Sequence, residues 1–254
     1  MKTTSEFEEE CKFLKSPINT PADLMKSQED NNIEAPPVQK AYPEDAELIE
    51  LLSIDDLSIG EMPFIEVVKN RRSRRKYSDQ KLTFEEISFL LWSIQGIQRI
   101  GTKRPVTYRT VPASGGIHPF ETYLVFIKVD SVSIGLYRYL PMEHSLLFLK
   151  PIDSDWLGNL VYACRGQEFI RKAAVIFIWT TFPCRTEWRY ANEAHKAIAL
   201  ASGHVCQNLY LASEAIGAGA CAITAYAQSA MDDLLGVDGE QEFTIYLASV
   251  GKVG

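Results

Sequence analysis

Arg71, Arg72, Ser73, Arg74 and Arg75 stand in one unbroken run, and with Lys69 and Lys76 they put six cations into eight residues. A guanidinium presents a planar fork of donors that matches two phosphate oxygens at once. A serine hydroxyl between such forks adds a further contact. Phosphate binding is the chemistry this run could do; a solvated basic turn or a nucleic-acid patch is the plainer alternative. The formal net charge of −7 argues against nucleic acid, because backbone binding needs a broad positive surface.

Two further segments combine small residues with polar groups beside apolar stretches. One runs from Arg109 to Pro119 (RTVPASGGIHP). The other pairs Cys221 to Tyr226 (CAITAY) with Val250-Gly251-Lys252. Small residues let backbone N–H groups approach a flat or anionic ligand closely. An ordinary turn at Gly115-Gly116 and a frayed tail at Lys252 are the competing readings. The five cysteines are widely spaced and form no C-x-x-C pair, which points to reduced, mostly buried thiols in a cytoplasm. The histidines are scattered, with His195 and His204 off a common helix face, so no metal site is expected. His118 is expected to fix its own loop by a hydrogen bond. His204 reads as a satisfied core or interface histidine. Trp92, Trp156, Trp179 and Tyr210 read as core.

The elements that must position these residues can be read from pattern. Residues 1–43 are polar and contain Asn31-Asn32 and Pro36-Pro37, as expected for a loosely attached arm with one short helix near Phe7 to Leu14. Residues 44–53 read as a short amphipathic segment. Pro63 can open a helix that runs into the arginines. Thr83 and Glu86 have the spacing of a capping box, with Ile87, Leu90, Leu91 and Ile94 on one face behind it and Gly96 as its stop. Residues 97–119 read as a long loop, of the kind that is functional in a compact domain. Strands are expected at 122–129, 136–140, 145–149, 173–181 and 242–250, and helices at 156–164 and 229–235. A long helix is expected over 187–216, with Gly203 permitting close packing. No apolar run is long enough for a membrane span, and the acidic first ten residues are unlike a signal peptide.

In order along the chain stand RRSRR (71–75), the block from Arg109 through HPFETY, GLYRYLPMEH (135–144), GHVCQNLYLASEAIGAG (203–219) and YLASVGK (246–252). Together these blocks resemble the SagB-type dehydrogenases of the FMN-dependent nitroreductase superfamily, over about residues 60–254. The resemblance implies an α+β fold: a three-layer sandwich with a central, mostly antiparallel sheet flanked by helices, in an intertwined homodimer. It implies residues 1–59 as an N-terminal extension and 60–254 as the FMN-binding domain. By position, Arg71, Ser73 and Arg75 would hold the FMN phosphate and ribityl chain, with Arg72 near the ring edge. Pro112, Ala113, Ser114 and Gly115 would approach the isoalloxazine of the partner subunit. Thr224 and Ala225 would face the flavin N5 region, and Gly251 and Lys252 would return to the phosphate. SagB-type enzymes oxidise thiazoline or oxazoline rings in peptides, with a Lys-Tyr pair assigned to proton removal. Here that pair reads Arg189-Tyr190. A guanidinium stays protonated, so Arg189 is a poor base but suits anchoring a carboxylate. The resemblance therefore implies oxidation of thiazoline or oxazoline rings in a peptide, or of a related small ring, by hydride transfer to flavin N5, in a homodimer open to a peptide substrate and biosynthetic partner proteins. The alternatives are an NAD(P)H-dependent nitro or quinone reductase and a non-catalytic flavin-binding subunit of a peptide-modifying complex.

Overall fold

The computed structural model describes residues 11–16, 26–102 and 104–254. Of the helix expected near Phe7 to Leu14, residues 7–10 lie outside that range, and Cys11–Leu14 form a short 3-10 turn. In chain order the elements are β1 (Leu48–Glu50), α1 (Phe64–Asn70), α2 (Phe84–Gln95), β2 (Ile97–Ile100), β3 (Thr107–Arg109), β4 (Phe120–Phe126), β5 (Gly135–Leu140), β6 (Ser145–Pro151), α3 (Ser154–Ala163), β7 (Val175–Thr181), α4 (Pro183–Tyr190), α5 (Ala194–Ala215), β8 (Ala218–Ile223), α6 (Gln228–Leu235) and β9 (Phe243–Lys252).

Seven strands form one sheet in the order β1-β6-β5-β4-β7-β9-β8, and every neighbouring pair is antiparallel. Successive strand residues point to opposite faces. Phe120, Leu124, Phe126, Val175, Phe177, Trp179, Ala248 and Val250 therefore join α2 and α5 in one apolar layer. Tyr123, Val125, Ile176, Ile178 and Leu247 join α3 and α6 in the other. Strands β4 and β7 are buried along their whole length, which explains why they read as unbroken apolar runs. The result is a helix–sheet–helix sandwich.

The capping box forms as expected: Thr83 Oγ1 accepts from the Glu86 N–H at 3.1 Å, and Glu86 accepts from the Thr83 N–H at 2.9 Å. Three expectations about the elements need correction. The long helix over 187–216 is two helices, α4 and α5, because Ala191 takes a left-handed φ of 43° between them. The loop over 97–119 contains the β2–β3 hairpin; β2 is largely exposed, so no apolar period announced it. Residues 48–50 of the supposed amphipathic segment are an edge strand paired with β6.

The arm before residue 43 is sewn down. The Lys40 N–H donates to buried Glu121 (2.8 Å), and its ammonium pairs with buried Glu242. Arg138 donates to the carbonyls of Lys40 and Ala41, and Trp188 Nε1 donates to the Ile33 carbonyl (2.7 Å). Cys164, Cys206 and Cys221 are buried, but Cys11 and Cys184 are exposed; all five are free. Among the described residues, no helix is long and apolar enough to cross a membrane, and no group of three or more His, Cys, Asp or Glu is arranged to hold a metal ion.

Candidate active site

The arginine run follows α1, and its members divide by the partners they meet. Arg72 and Arg74 turn back onto the end of α1. Arg72 donates to the carbonyls of Lys69 (2.8 Å) and Arg71 (2.7 Å), and Arg74 donates to Asn70 O (3.2 Å). They satisfy carbonyls that a helix C-terminus leaves without intrahelical partners. Arg74 also pairs with Glu214 of α5 at 3.0 Å. Arg72, expected near a flavin ring edge, is thus committed to α1 in this structure. Arg71 and Ser73 meet Tyr210 of α5, and Arg75 meets Phe169 of the opposite layer. The Arg71 guanidinium lies 5.3 Å from the Tyr210 ring centre and that of Arg75 5.8 Å from Phe169. Among the described residues, neither has a carboxylate partner.

This segment adds to the open edge of β8. Ser73 forms a parallel bridge with Ala220, and the Arg74 N–H donates to the Ala220 carbonyl at 2.9 Å. The approach explains why β8 is so small in side chain: a Cβ on Gly219 would come within 2.6 Å of Arg74. Tyr210 locks the junction. Its hydroxyl accepts from the Ala222 N–H at 2.8 Å and shares a hydrogen bond with Ser73 Oγ at 2.9 Å. Thr224 and Ala225 follow the end of β8 and are exposed, with the Ala225 carbonyl held by Gln167 at 3.1 Å. Gly251 and Lys252 serve other groups here. A Cβ on Gly251 would press on the Tyr77 ring at 2.9 Å, and the Lys252 ammonium is paired with Glu86 of the capping box.

The second cluster gathers around the loop after β3. Pro112, Ala113, Gly115, Gly116, His118 and Arg189 line a cleft of about 710 Å³; Ser114 is exposed beside it. Gly115 has a φ of +61°, and a Cβ there would sit 2.5 Å from the Tyr190 hydroxyl and 3.4 Å from the Arg189 guanidinium. The glycine therefore seats both expected catalytic side chains. Buried His118 bonds to the Thr107 backbone and fixes the loop, as expected. Burial and the Arg109 charge drive its pKa down to about 3, so it is a neutral imidazole near pH 7. Arg109 is itself buried and bonded to Gln95 (2.9 Å) and Thr107 (3.0 Å), and burial lowers its pKa to about 10.

The two clusters meet through α5. His204 bonds to the Pro112 carbonyl (3.2 Å) and Asn208 to the carbonyls of Ser93 and Thr110, while Tyr210 and Glu214 hold the arginine run. His204 and Tyr210 lie about 9 Å apart along the helix axis. His204 is exposed rather than core, and a Cβ on Gly203 would meet open space within the chain.

Residues 68–252 match the pattern of the nitroreductase family. The chain belongs to that family. Its fold is the nitroreductase fold and its class is flavin oxidoreductase. Methanocaldococcus jannaschii has a protein named "Putative nitroreductase MJ1384" that is 29% identical over 194 residues, 76% of this chain and 93% of that one. Among solved structures, a nitroreductase homologue from Ralstonia eutropha superposes with a TM-score of 0.65 at 24% identity, over 87% of this chain and 99% of that one. One from Anabaena variabilis gives 0.64 at 21% identity over 83% of this chain, which spans only 42% of that one. A chain of the E. coli microcin synthetase McbBCD complex, solved with truncated pro-MccB17 bound, gives 0.59 at 17% identity, over 96% of this chain and 86% of that one. At these identities the structural likenesses establish the nitroreductase fold alone.

Sequence reasoning missed two residues here. Tyr210 looked like core, but its hydroxyl joins the arginine run to β8. Glu29, in the arm, reaches Arg189 and Arg104 at 3.3 Å each. Neither had a local signal, since both partnerships span long stretches of chain.

Proposed function

We propose that this protein is an FMN-dependent dehydrogenase of the SagB type, oxidising thiazoline or oxazoline rings in a peptide, or a related small ring. It would act as a homodimer and work beside peptide-modifying partner proteins. The observation that carries the reading is the division of the arginine run: Arg72 and Arg74 are committed to the end of α1, whereas Arg71 and Arg75 are ring-supported, have no carboxylate partner among the described residues, and stand with Ser73 beside the small-residue strand β8. That arrangement fits an anionic phosphate, and each close unit-charge pair near a surface gains about 4 kcal/mol before desolvation. When bound, FMN supplies the hydride acceptor at N5.

The chain's own residues do the rest. Arg71, Ser73 and Arg75 would hold the phosphate and ribityl chain, while Arg72 and Arg74 keep the run in place by capping α1. Thr224 and Ala225, just past β8, would offer backbone groups at the N5 edge. Pro112, Ala113, Ser114 and Gly115 of a second copy would pack on the ring. Tyr190, seated on Gly115, would take the substrate ring proton as its phenolate and become the neutral phenol, and Arg189 would steady an anionic group. Gly251 and Lys252 would act from behind, through Tyr77 and Glu86. The dimer is supported by α1, which turns Phe64 (71%), Ile65 (59%) and Val68 (47%) to the outside. Likeness to a chain of a complex that carries a bound pro-microcin supports the peptide substrate.

A second reading is an NAD(P)H-dependent nitro or quinone reductase. Arg189 favours it, standing where the SagB pattern has the lysine. The test uses the purified flavin-loaded protein. Turnover of a thiazoline peptide in air, without anaerobic bleaching by NADPH, is the expected result. Rapid bleaching without turnover would move the assignment to the reductase, and neither activity would leave a flavin-binding subunit. Arg71→Ala and Ser73→Ala should each lower flavin occupancy, whereas Tyr190→Phe should slow turnover at full occupancy. Unchanged occupancy in both cluster variants would remove the phosphate assignment.

A further inference from the structure

The cleft beside the Pro112 loop is lined by Arg99, Arg104, Arg109 and Arg189 and, among the described residues, by no acidic residue, in a chain whose net charge is −7. Its arginines are not equivalent. Arg109 is buried and committed to Gln95 and Thr107. Arg99 lies over the Tyr108 ring at 4.0 Å. Arg104 and Arg189 face each other across a carboxylate delivered from outside the cleft lining: Glu29 Oε1 is 3.3 Å from Arg104 Nε, and Glu29 Oε2 is 3.3 Å from Arg189 Nε. Glu29 is brought there by the arm, its own N–H donating to the Trp188 carbonyl at 2.9 Å.

A carboxylate bridging two guanidiniums at the mouth of an otherwise acid-free cleft is the arrangement such a site adopts around its ligand. We propose that Arg104 and Arg189 form a carboxylate subsite for the substrate, and that Glu29 is its resident occupant, displaced when an acidic group of the substrate binds. The inference deepens the peptide-oxidation reading and rests on it for the identity of the substrate as a peptide. Displacement is within reach because the Arg104 pair is exposed and neither pair is hydrogen-bonded. Arg104 is 53% exposed, and an exposed pair holds by only about five-fold at most. In each pair the Glu29 oxygen stands 3.3 Å from Nε as an ion pair without hydrogen-bond geometry. A carboxylate presented fork to fork would make two hydrogen bonds to a guanidinium where Glu29 makes an ion pair alone. A carboxylate is preferred over a phosphate as the ligand because a carboxylate is what the two arginines already hold.

The test is a binding titration by fluorescence anisotropy on the full flavin-loaded chain. Two labelled hexapeptides are compared, identical except for two glutamates in one and two glutamines in the other. The acidic peptide should bind roughly ten-fold tighter despite the protein's net negative charge. Glu29→Gln should tighten it by a further three- to ten-fold and leave the glutamine peptide unmoved. Arg104→Gln, at an exposed position with little folding risk, should abolish the acid preference, and exposed Arg165→Gln should not touch it. Equal binding of the two peptides, or an affinity indifferent to Glu29→Gln, would overturn the proposal. So would NADP⁺ outcompeting the acidic peptide through Arg104, which would give the subsite to a nucleotide phosphate. The readout needs no turnover. An acid preference in a protein that oxidises no azoline would sink the reaction and keep the subsite; azoline oxidation without acid preference would do the reverse.

Discussion

Gly115→Ala is the substitution that most directly probes the seat of the expected catalytic pair, and its neighbour supplies the control. Both Gly115 (φ +61°) and Gly116 (φ +73°) occupy left-handed backbone. An alanine at either carries the left-handed penalty of about 1–2 kcal/mol. They differ in space. A Cβ at Gly116 would meet its nearest neighbour at 3.5 Å, an ordinary contact, whereas at Gly115 it would lie 2.5 Å from the Tyr190 hydroxyl. The second position therefore adds an overpacking cost of about 1–3 kcal/mol, or relieves it by pushing Tyr190 and Arg189 off the loop. At roughly 3 °C per kcal/mol for a chain of this size, Gly116→Ala should lower Tm by about 3–6 °C. Gly115→Ala should either lower Tm by about 3–9 °C more, or match the control in Tm and lose turnover. Thermal scans and azoline turnover at equal flavin content separate the cases. If the two alanines behave alike in both measurements, Gly115 does not seat Tyr190, and the catalytic assignment of that tyrosine loses its structural basis.

Other perturbations read different parts of the molecule. Arg185→Ala strands buried Glu121, whose carboxylate takes Arg185 at 2.6 Å, and should destabilise by about 3–5 kcal/mol in chemical denaturation. Tyr210→Phe removes the hydroxyl that receives the Ala222 N–H; an unsatisfied donor costs about 1–3 kcal/mol, and flavin retention should weaken with it. His118 binds its proton only near pH 3 when folded but near 6.5 when unfolded, so the unfolded chain holds more protons between those values. Its contribution to stability is then intact above pH 6.5 and falls on acidification by up to about 1.4 kcal/mol per pH unit, a slope that His118→Gln should flatten. Parallel slopes for wild type and variant between pH 6.5 and about 5 would show that the imidazole is not held neutral.

The sequence by itself determined the elements whose signals are local. The capping box of Thr83 and Glu86, the buried strands β4 and β7, and the helices α2 and α6 follow from spacing and periodicity within a dozen residues, and they were legible for that reason. The ordered blocks also carried the family, because an arginine run, a small-residue loop and a closing strand are each readable as strings. Tertiary structure decided which members of those strings do what. Tertiary contacts committed Arg72 and Arg74 to the end of α1 and left Arg71 and Arg75 without carboxylate partners among the described residues, a division the string RRSRR does not display. The break at Ala191 separates Tyr190 from the helix that the pattern had it joining. Lys40 with Glu242, Lys252 with Glu86 and Glu29 with Arg189 join residues more than 150 positions apart. Nothing in the neighbourhood of either partner marks such a pair; charges choose partners by distance in space, and only the folded sheet brings these within reach.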